Sequence, residues 1–318
     1  MTLTRRTAIG LGAAATIAAA TATPAAAAPA AATPEHTIRH AYRKQTRKAG
    51  GTWQALITQP AGTIVEEHAD DLVEAYSVNK IAVATAVLDK IDRGLLTRTH
   101  RVELTQDIVS PTGDGIIPLD GAYPSSFTLG HVLALLLTVS DDTAVRLCGL
   151  VCPAKELNEI LVAKGFPNTQ VVPVANPNRF YLGKTTPRET HRLLNSLAAG
   201  TLLSPTSSAY LLKILRSQAA FTDGIRRDMS SAERSQVATK AGWFNDGRNE
   251  AGLVFDAADQ PVLTYALFCQ GAGDPNDFGG THPAVVARAN LGRTILDTLA
   301  PTTAMARVAP GYQPSNGG

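Results

Sequence analysis

Apolar and polar positions near the start of the chain follow first a helical and then a strand-like pattern. Residues 35–51 place apolar side chains on one face and end in two glycines, so they predict an amphipathic helix. Residues 52–70 form two β-rich runs around the turn Gln59-Pro60-Ala61-Gly62 and predict a β-hairpin. The fold is therefore expected to begin with a helix followed by a hairpin.

The middle of the chain has a mostly helical pattern. Residues 77–94 are apolar almost all the way round, so they predict a buried central helix that ends at Gly94. Residues 110–126 are polar and rich in Pro and Gly and predict loops. Further helices are predicted at 127–151, interrupted at 138–142, and at 153–165, 185–200 and 204–218.

Strand patterns return after residue 236, at 237–244, 249–257 and 261–271, and a closing helix is predicted at 282–300. We predict an α/β (α+β) fold in which strands from both ends share one antiparallel sheet flanked by helices. The sheet lobe would comprise residues 36–76 and 235–300, and a mainly helical lobe roughly residues 77–220. A groove between the lobes is the expected place for a site.

Composition narrows the class of protein. The 318 residues are 44% hydrophobic and 18% charged, which is enough to bury a core of one or two domains. A formal net charge of +2 without a long basic run argues against a nucleic-acid partner. We expect no stable membrane span. The sequence leaves the oligomeric state open, with a monomer favoured.

Residues 1–32 have the order of an export signal. The pair Arg5 and Arg6 precedes a weakly apolar Gly/Ala segment and an Ala-rich end, with cleavage expected near 26–32. Paired arginines and low hydrophobicity favour the twin-arginine route. The segment is too short and too weakly apolar for a membrane span. We expect residues 33–318 to be a secreted or extracytoplasmic catalytic domain, with an uncleaved anchor as the alternative.

The three cysteines give no clear disulfide framework. Their odd number leaves at least one thiol unpaired, and Cys148 and Cys152 lie one helical turn apart, which suits a bridge poorly. No His pair lies near them to complete a metal site. We expect Cys148, Cys152 and Cys269 to be buried small apolar residues.

Ser77 and Lys80 begin the predicted central helix three positions apart, which places them on one face. A serine hydroxyl becomes a nucleophile when a neighbouring base takes its proton, and a lysine can be that base if burial lowers its pKa. The alternative is a capping serine beside a lysine that extends to solvent. Two further segments favour the catalytic interpretation.

Ser140, Asp141 and Asp142 interrupt an apolar helix, which is costly unless these polar residues have a function. Ser140 could shuttle a proton and Asp142 could lie beside Lys80, although a helix N-cap also explains the pattern. Residues 240–243 lie on a predicted strand. There Lys240 could hold a substrate carboxylate, Gly242 could allow close backbone approach, and the Trp243 N–H could join that of Ser77 in an oxyanion hole. The alternative for Lys240 is a solvent-facing side chain.

In order and spacing, Ser77-Val78-Asn79-Lys80, Ser140-Asp141-Asp142 and Lys240-Ala241-Gly242 resemble the three signature motifs of class A serine β-lactamases and penicillin-binding proteins. The resemblance extends from about residue 35 to 300. It implies a catalytic groove between a helical and a sheet lobe and acylation of Ser77. Lys80 and Ser140 would then handle protons, and Lys240 would bind the substrate carboxylate.

Two motif positions depart from that family. Asp142 stands where the family usually has an asparagine, and a carboxylate accepts hydrogen bonds where an amide would donate to the substrate. Ala241 replaces the usual hydroxyl residue, so one hydrogen bond to a substrate carboxylate, worth about 1.5–3 kcal/mol, is lost.

The third departure concerns release of the acyl group. Class A enzymes use a loop glutamate to activate the deacylating water, but residues 160–188 contain neither Asp nor Glu. Asn176, Asn178 and Arg179 are candidates for ordering this loop, not for general bases. Since general-base help is worth roughly 10²–10⁴-fold, weak deacylation is expected unless Asp142 or Lys80 substitutes. The resemblance thus predicts an exported serine hydrolase that is acylated at Ser77 by a small-molecule substrate, a β-lactam or a related amide or ester, with no cofactor. The alternatives are an esterase or peptidase with another substrate and a β-lactam-binding protein without turnover.

Overall fold

The computed structural model describes residues 32–300. Apart from Ala32, the predicted export signal lies outside the described residues, as do residues 301–318 of the predicted catalytic domain. The helices are α1 (Pro34–Ala49), α2 (Lys80–Asp92), α3 (Leu129–Thr138), α4 (Asp142–Val151), α5 (Ala154–Ala163), α6 (Pro187–Ala198), α7 (Pro205–Leu215), α8 (Ser231–Arg234) and α9 (Pro283–Leu299). The strands are β1 (Thr52–Gln59), β2 (Gly62–Glu67), β3 (Val73–Glu74), β4 (Arg101–Leu104), β5 (Ser125–Thr128), β6 (Gln170–Pro173), β7 (Phe180–Thr185), β8 (Val237–Phe244), β9 (Gly247–Phe255) and β10 (Pro261–Gln270).

Five of these strands form one antiparallel sheet in the order β2-β1-β10-β9-β8. The β1–β2 hairpin pairs through β1 with β10, where Trp53 lies opposite Cys269. Strands from both ends of the chain therefore share one sheet, as predicted. Strand β8 lies at the sheet edge, so half of its backbone groups are free to face the helical side.

Apolar side chains pack on both faces of this sheet. On one face, α1 and α9 contribute Ile38, Tyr42 and Leu291 to a core. On the other, α2 packs against α3, α4, α5 and α7, and every residue from Lys80 to Leu88 is buried. The all-round apolar pattern predicted this central helix correctly, because a helix surrounded by other elements has no solvent-facing side that needs polar residues.

Several short strands within the middle of the chain were not predicted. Strands β4 and β5 form a two-stranded ladder, and β3, β7 and β6 form a small sheet. They contain two to six residues each, too few to establish a period-2 pattern. Residues 110–126, predicted as loops, also include the 3₁₀ turn Ile117–Leu119 and the start of β5.

Cys148, Cys152 and Cys269 are buried and unpaired, as predicted. Burial raises the pKa of each thiol, to about 12 for Cys152 and Cys269, so none is a reactive thiolate. Within residues 32–300, no helix combines the length and apolar character that a membrane crossing requires.

Candidate active site

Ser77 lies in the 3₁₀ turn Tyr76–Asn79, directly before α2, and not on its first α-helical turn. A 3₁₀ turn eclipses residues i and i+3, so Ser77 and Lys80 still share one face. Tyr76 has a φ of 49°, a left-handed conformation that is uncommon for an aromatic residue. Such strained backbone clusters at functional sites, where the surrounding structure holds it in place.

Neighbouring strands hold the Ser77 turn. The Asn79 side-chain amide donates to the backbone oxygens of Leu182, at 2.7 Å, and Lys184, at 3.1 Å. The Ala75 N–H donates to the Gly183 oxygen at 2.9 Å. These bonds fix strand β7 beside the turn and set the distance across the cleft.

Gly242 of β8 packs against the same turn. A Cβ atom at Gly242 would lie 2.6 Å from the Ser77 nitrogen and 2.7 Å from the Val78 nitrogen. We predicted that Gly242 lets the strand backbone approach the ligand. In the structure, Gly242 lets the strand backbone approach the backbone of the serine turn. Strand and turn can therefore approach closely only while residue 242 lacks a side chain.

Within Ser140-Asp141-Asp142, helix capping and the predicted catalytic role fall on different residues. Asp141 is the N-cap of α4: its carboxylate accepts from Ala144 N, and also from Ile116 N and Ile117 N at 2.8 Å. Ser140 has a φ of 56° and is buried, and Asp142 lies on the cleft wall. The capping and the catalytic interpretations of this motif both fit, because different residues carry them.

The Ser140 hydroxyl lies between two lysines. The Nζ atoms of Lys80 and Lys240 each donate to Ser140 Oγ at 3.1 Å. Lys80 also donates to the Ser140 carbonyl oxygen and, at 2.7 Å, to Asp142 Oδ1. Three motifs far apart in sequence thus meet in one hydrogen-bonded cluster.

Burial controls the charge of this cluster. It is the main cause of the lowered pKa of Lys80, whose side chain is 0% exposed; the Asp142 carboxylate opposes that shift. Burial lowers the pKa of Lys240 further, and the neighbouring charge of Lys80 adds to the effect. Two amines that share one buried hydroxyl favour a state in which one of them is neutral.

A cleft of about 1070 Å³ opens over Ser77. Of the predicted site residues, Ser77, Asp142 and Trp243 line it. The remaining ones lie behind the wall: Lys80, Ser140, Lys240, Ala241 and Gly242.

Lys240 and Ala241 differ from their predicted placement. Lys240 is 2% exposed and its ammonium donates to Ser140 Oγ and, at 2.5 Å, to the Ala241 oxygen. Ala241 is fully buried. Both side chains are buried and neither is among the residues that line the cleft, so the predicted contact of Lys240 with a substrate carboxylate stays a prediction.

Sequence reasoning missed Asp114, Arg146 and residues 180–183, all of which line the cleft. Asp114 follows Gly113 in a loop whose position depends on Asp142: the Asp114 N–H donates to Asp142 Oδ2 at 3.1 Å. No local pattern marks these residues, since their proximity to Ser77 comes from the packing of the loop and of β7 around α4.

No carboxylate from residues 160–188 exists to face the cleft, and the next one is engaged elsewhere. Glu189, at the start of α6, is buried and accepts hydrogen bonds from Asn168 and Thr169. The segment is also not a loop throughout, because it contains the paired strands β6 and β7. Arg179 donates to the Asp107 oxygen, which supports its predicted ordering role.

A sheet packed against a helical lobe, with Ser-x-x-Lys under the cleft and a second lysine on the edge strand, defines a serine β-lactamase-like protein. The family model described as the beta-lactamase enzyme family matches residues 35–299. The chain belongs to this family, and the predicted class A β-lactamase-like and penicillin-binding protein superfamily is confirmed.

Solved structures confirm the predicted fold. The beta-lactamase from Sphaerobacter thermophilus has a TM-score of 0.70 at 22% identity, covering 82% of this chain and 95% of that one. A class A beta-lactamase representative from Bacteroides cellulosilyticus has 0.69 at 19%, covering 84% and 98%. An acyl-enzyme complex of a PBP-A mutant with penicillin-G has 0.65 at 20%, covering 82% and 95%. No curated protein matches the chain.

Proposed function

We propose that the protein is an exported serine hydrolase that is acylated at Ser77 by β-lactams or related amides and esters and deacylates slowly. The observation that carries this proposal is the pair of buried amines, Lys80 and Lys240, that share the Ser140 hydroxyl, with Lys80 one 3₁₀ turn after Ser77. Membership of the beta-lactamase enzyme family and the acyl-enzyme of the similarly folded PBP-A mutant support it.

The proposed steps use these groups in turn. Neutral Lys80 takes the proton of Ser77, whose Oγ attacks the carbonyl carbon. The N–H groups of Ser77 and of Trp243, on the edge strand, would stabilise the oxyanion. The carbonyl C–N or C–O bond then breaks, and Ser140 passes a proton to the leaving atom and regains one from the lysines. Water finally cleaves the ester and restores the Ser77 hydroxyl.

The lack of a carboxylate in residues 160–188 favours a second candidate, a β-lactam-binding protein that is acylated without turnover. Incubating the purified protein with penicillin-G and following its intact mass separates the candidates. A transient adduct with accumulating product indicates a hydrolase, and a lasting adduct indicates acylation without turnover. Absence of an adduct contradicts acylation by this β-lactam.

Export is part of the proposal and rests on the order of basic, weakly apolar and small residues in residues 1–32. Expression of the full chain in a bacterial host should yield an extracytoplasmic product that starts near residues 26–32. N-terminal sequencing checks the cleavage, and replacing Arg5 and Arg6 with lysine should retain the precursor inside the cell.

Removing the carboxylate of Asp142 should shift the pH dependence of acylation. Asp142 raises the pKa of Lys80, so in Asp142→Asn that pKa falls and the neutral amine persists to lower pH. We expect the acidic limb of the acylation profile to move down by roughly 1–3 pH units. Acylation rates measured by intact mass over about pH 5–9, which spans the acidic limb, check this shift.

The matched control for that profile is Asp120→Asn, an exposed aspartate on the other side of the same loop. It should keep the wild-type profile. An upward shift in Asp142→Asn, or no shift at all, would contradict the assignment of Lys80 as the base.

A methyl group at Gly242 should displace the serine turn. Because its Cβ would lie under 3.0 Å from two backbone nitrogens, Gly242→Ala must push β8 and Ser77 apart. A misplacement of about 1 Å costs on the order of 10²-fold in rate, so acylation should slow by that factor. Gly280→Ala, where the nearest atoms lie 3.9 Å from the new Cβ, is the control. Full acylation activity in Gly242→Ala would show that the close approach does not matter.

A further inference from the structure

The charged side chains on the cleft wall are mostly acidic. Glu74, Asp114 and Asp142 line the cleft, and Arg146 is the basic residue among its described lining. The guanidinium of Arg146 already donates to the Ile108 and Val109 oxygens, at 3.1 and 2.7 Å. Within the described lining, the groups left to meet a ligand are therefore carboxylates more than cations.

Asp114 is the acid best placed to contact a ligand. It is half-buried, and its carboxylate accepts no hydrogen bond and forms no ion pair with any residue in 32–300. Its backbone is fixed beside Asp142 by bonds in both directions, Asp114 N to Asp142 Oδ2 and Asp142 N to Asp114 O. Burial and the charge of Asp142 raise the pKa of Asp114 against the opposing charges of Lys80 and Lys240, and a bound cation would favour its ionised form.

The groups that would attract an anion do not line the cleft. The Lys240 ammonium lies in the interior and donates to Ser140 and Ala241, and the Ala241 side chain offers no hydroxyl. An anionic group on the substrate therefore gains little here and meets Asp114 and Asp142 instead.

Aromatic rings complete the wall around these carboxylates. Tyr181 is 71% and Phe244 69% exposed, and the Phe244 ring centroid lies 6.1 Å from that of Tyr76. Aromatic faces attract organic ammonium groups as well as apolar groups. Exposed rings in the same cleft as the unpaired carboxylate of Asp114 thus suit one kind of ligand, an organic cation with an apolar body.

We propose that the cleft selects acyl donors that carry an ammonium group on the acyl side, close to the scissile carbonyl, with Asp114 as the residue that recognises the charge. This inference rests on the proposed function, since it concerns the substrate of the Ser77 acylation. Asp114 is a specificity residue and takes no part in the proton transfers.

Three penicillins that differ in charge at the side-chain α carbon test the proposal: ampicillin with an ammonium, benzylpenicillin with no charge and carbenicillin with a carboxylate. Second-order rates of adduct formation are measured by intact mass at about pH 6, where an α-amino group is protonated. We expect ampicillin to react at least about fivefold faster than benzylpenicillin, the effect of about 1 kcal/mol of charge attraction, and carbenicillin to react slowest. About 0.5 M salt should reduce the differences.

The variant Asp114→Asn should lower the ratio of the ampicillin rate to the carbenicillin rate by about fivefold. The ratio is the readout because the Asp114 charge also raises the pKa of Lys80, so its removal changes the three rates together. The matched control Asp120→Asn should keep the wild-type ratio, and melting temperatures should show that both variants fold. Equal rates for the three penicillins, or an unchanged ratio in Asp114→Asn, would overturn the charge selection and leave the acylation of Ser77 standing. No adduct with any of them would refute the proposed function and this inference together.

Discussion

Ser77→Ala should form no covalent adduct with any β-lactam that labels the wild-type protein. Ser77 is the proposed nucleophile because it shares a face with Lys80 and lines the cleft, whereas Ser140 lies behind the wall between two amines. Removing a nucleophile costs on the order of 10⁶-fold, which takes the rate below detection. Intact mass after prolonged incubation is the measurement, with the melting temperature as the test of folding.

The control for this variant is Ser196→Ala, a serine on α6 away from the cleft lining, which should label like the wild type. Peptide mapping of the wild-type adduct should place it on Ser77. An adduct that persists in Ser77→Ala, or that maps to Ser110 or Ser140, would refute the nucleophile assignment.

Leu182→Glu should turn slow release of the acyl group into turnover. Leu182 lines the cleft, and its backbone oxygen accepts from the Asn79 amide, so its position relative to the Ser77 turn is fixed. A carboxylate there can activate water beside the acyl ester. General-base assistance of this kind contributes roughly 10²–10⁴-fold, and we expect deacylation to accelerate within that range.

The experiment isolates the second step of the reaction. The protein is acylated first, free β-lactam is removed, and the loss of adduct mass is followed over time. Leu182→Gln matches the size of the new side chain without the base and should release as slowly as the wild type. Equal release from the Glu and Gln variants would show that a missing carboxylate at this position does not limit turnover.

The choice of Leu182 illustrates how the structure changes an argument made from sequence. The absence of Asp and Glu in residues 160–188 is visible in the sequence, and it directs attention to Asn176 and Asn178 as sites for a new base. The structure instead places Phe180 to Gly183 on the cleft wall, because β7 pairs with β3 next to the Ser77 turn. Which residue of a segment faces a site depends on strand pairing, which the composition of the segment does not encode.

Asp114 is a second example. In the sequence it is one acidic residue in a Pro/Gly-rich loop. Its significance arises from two backbone hydrogen bonds to Asp142 and from a carboxylate that the fold leaves unpaired at the cleft. Long-range contacts of this kind follow from packing between elements, and no local pattern predicts them.

The sequence by itself determined the elements with a long and regular pattern, and it identified the residues that we propose to react. The central helix α2, the β1–β2 hairpin and the three strands after residue 236 follow from periodicity. The motif spacing brought Ser77, Lys80, Ser140 and Lys240 into one hypothesis. Tertiary structure alone decided that both lysines share the Ser140 hydroxyl in the interior, and that the cleft presents carboxylates and aromatic rings. The physical reason is that charge, burial and reach depend on the surroundings of a side chain, and those surroundings come from segments far apart along the chain.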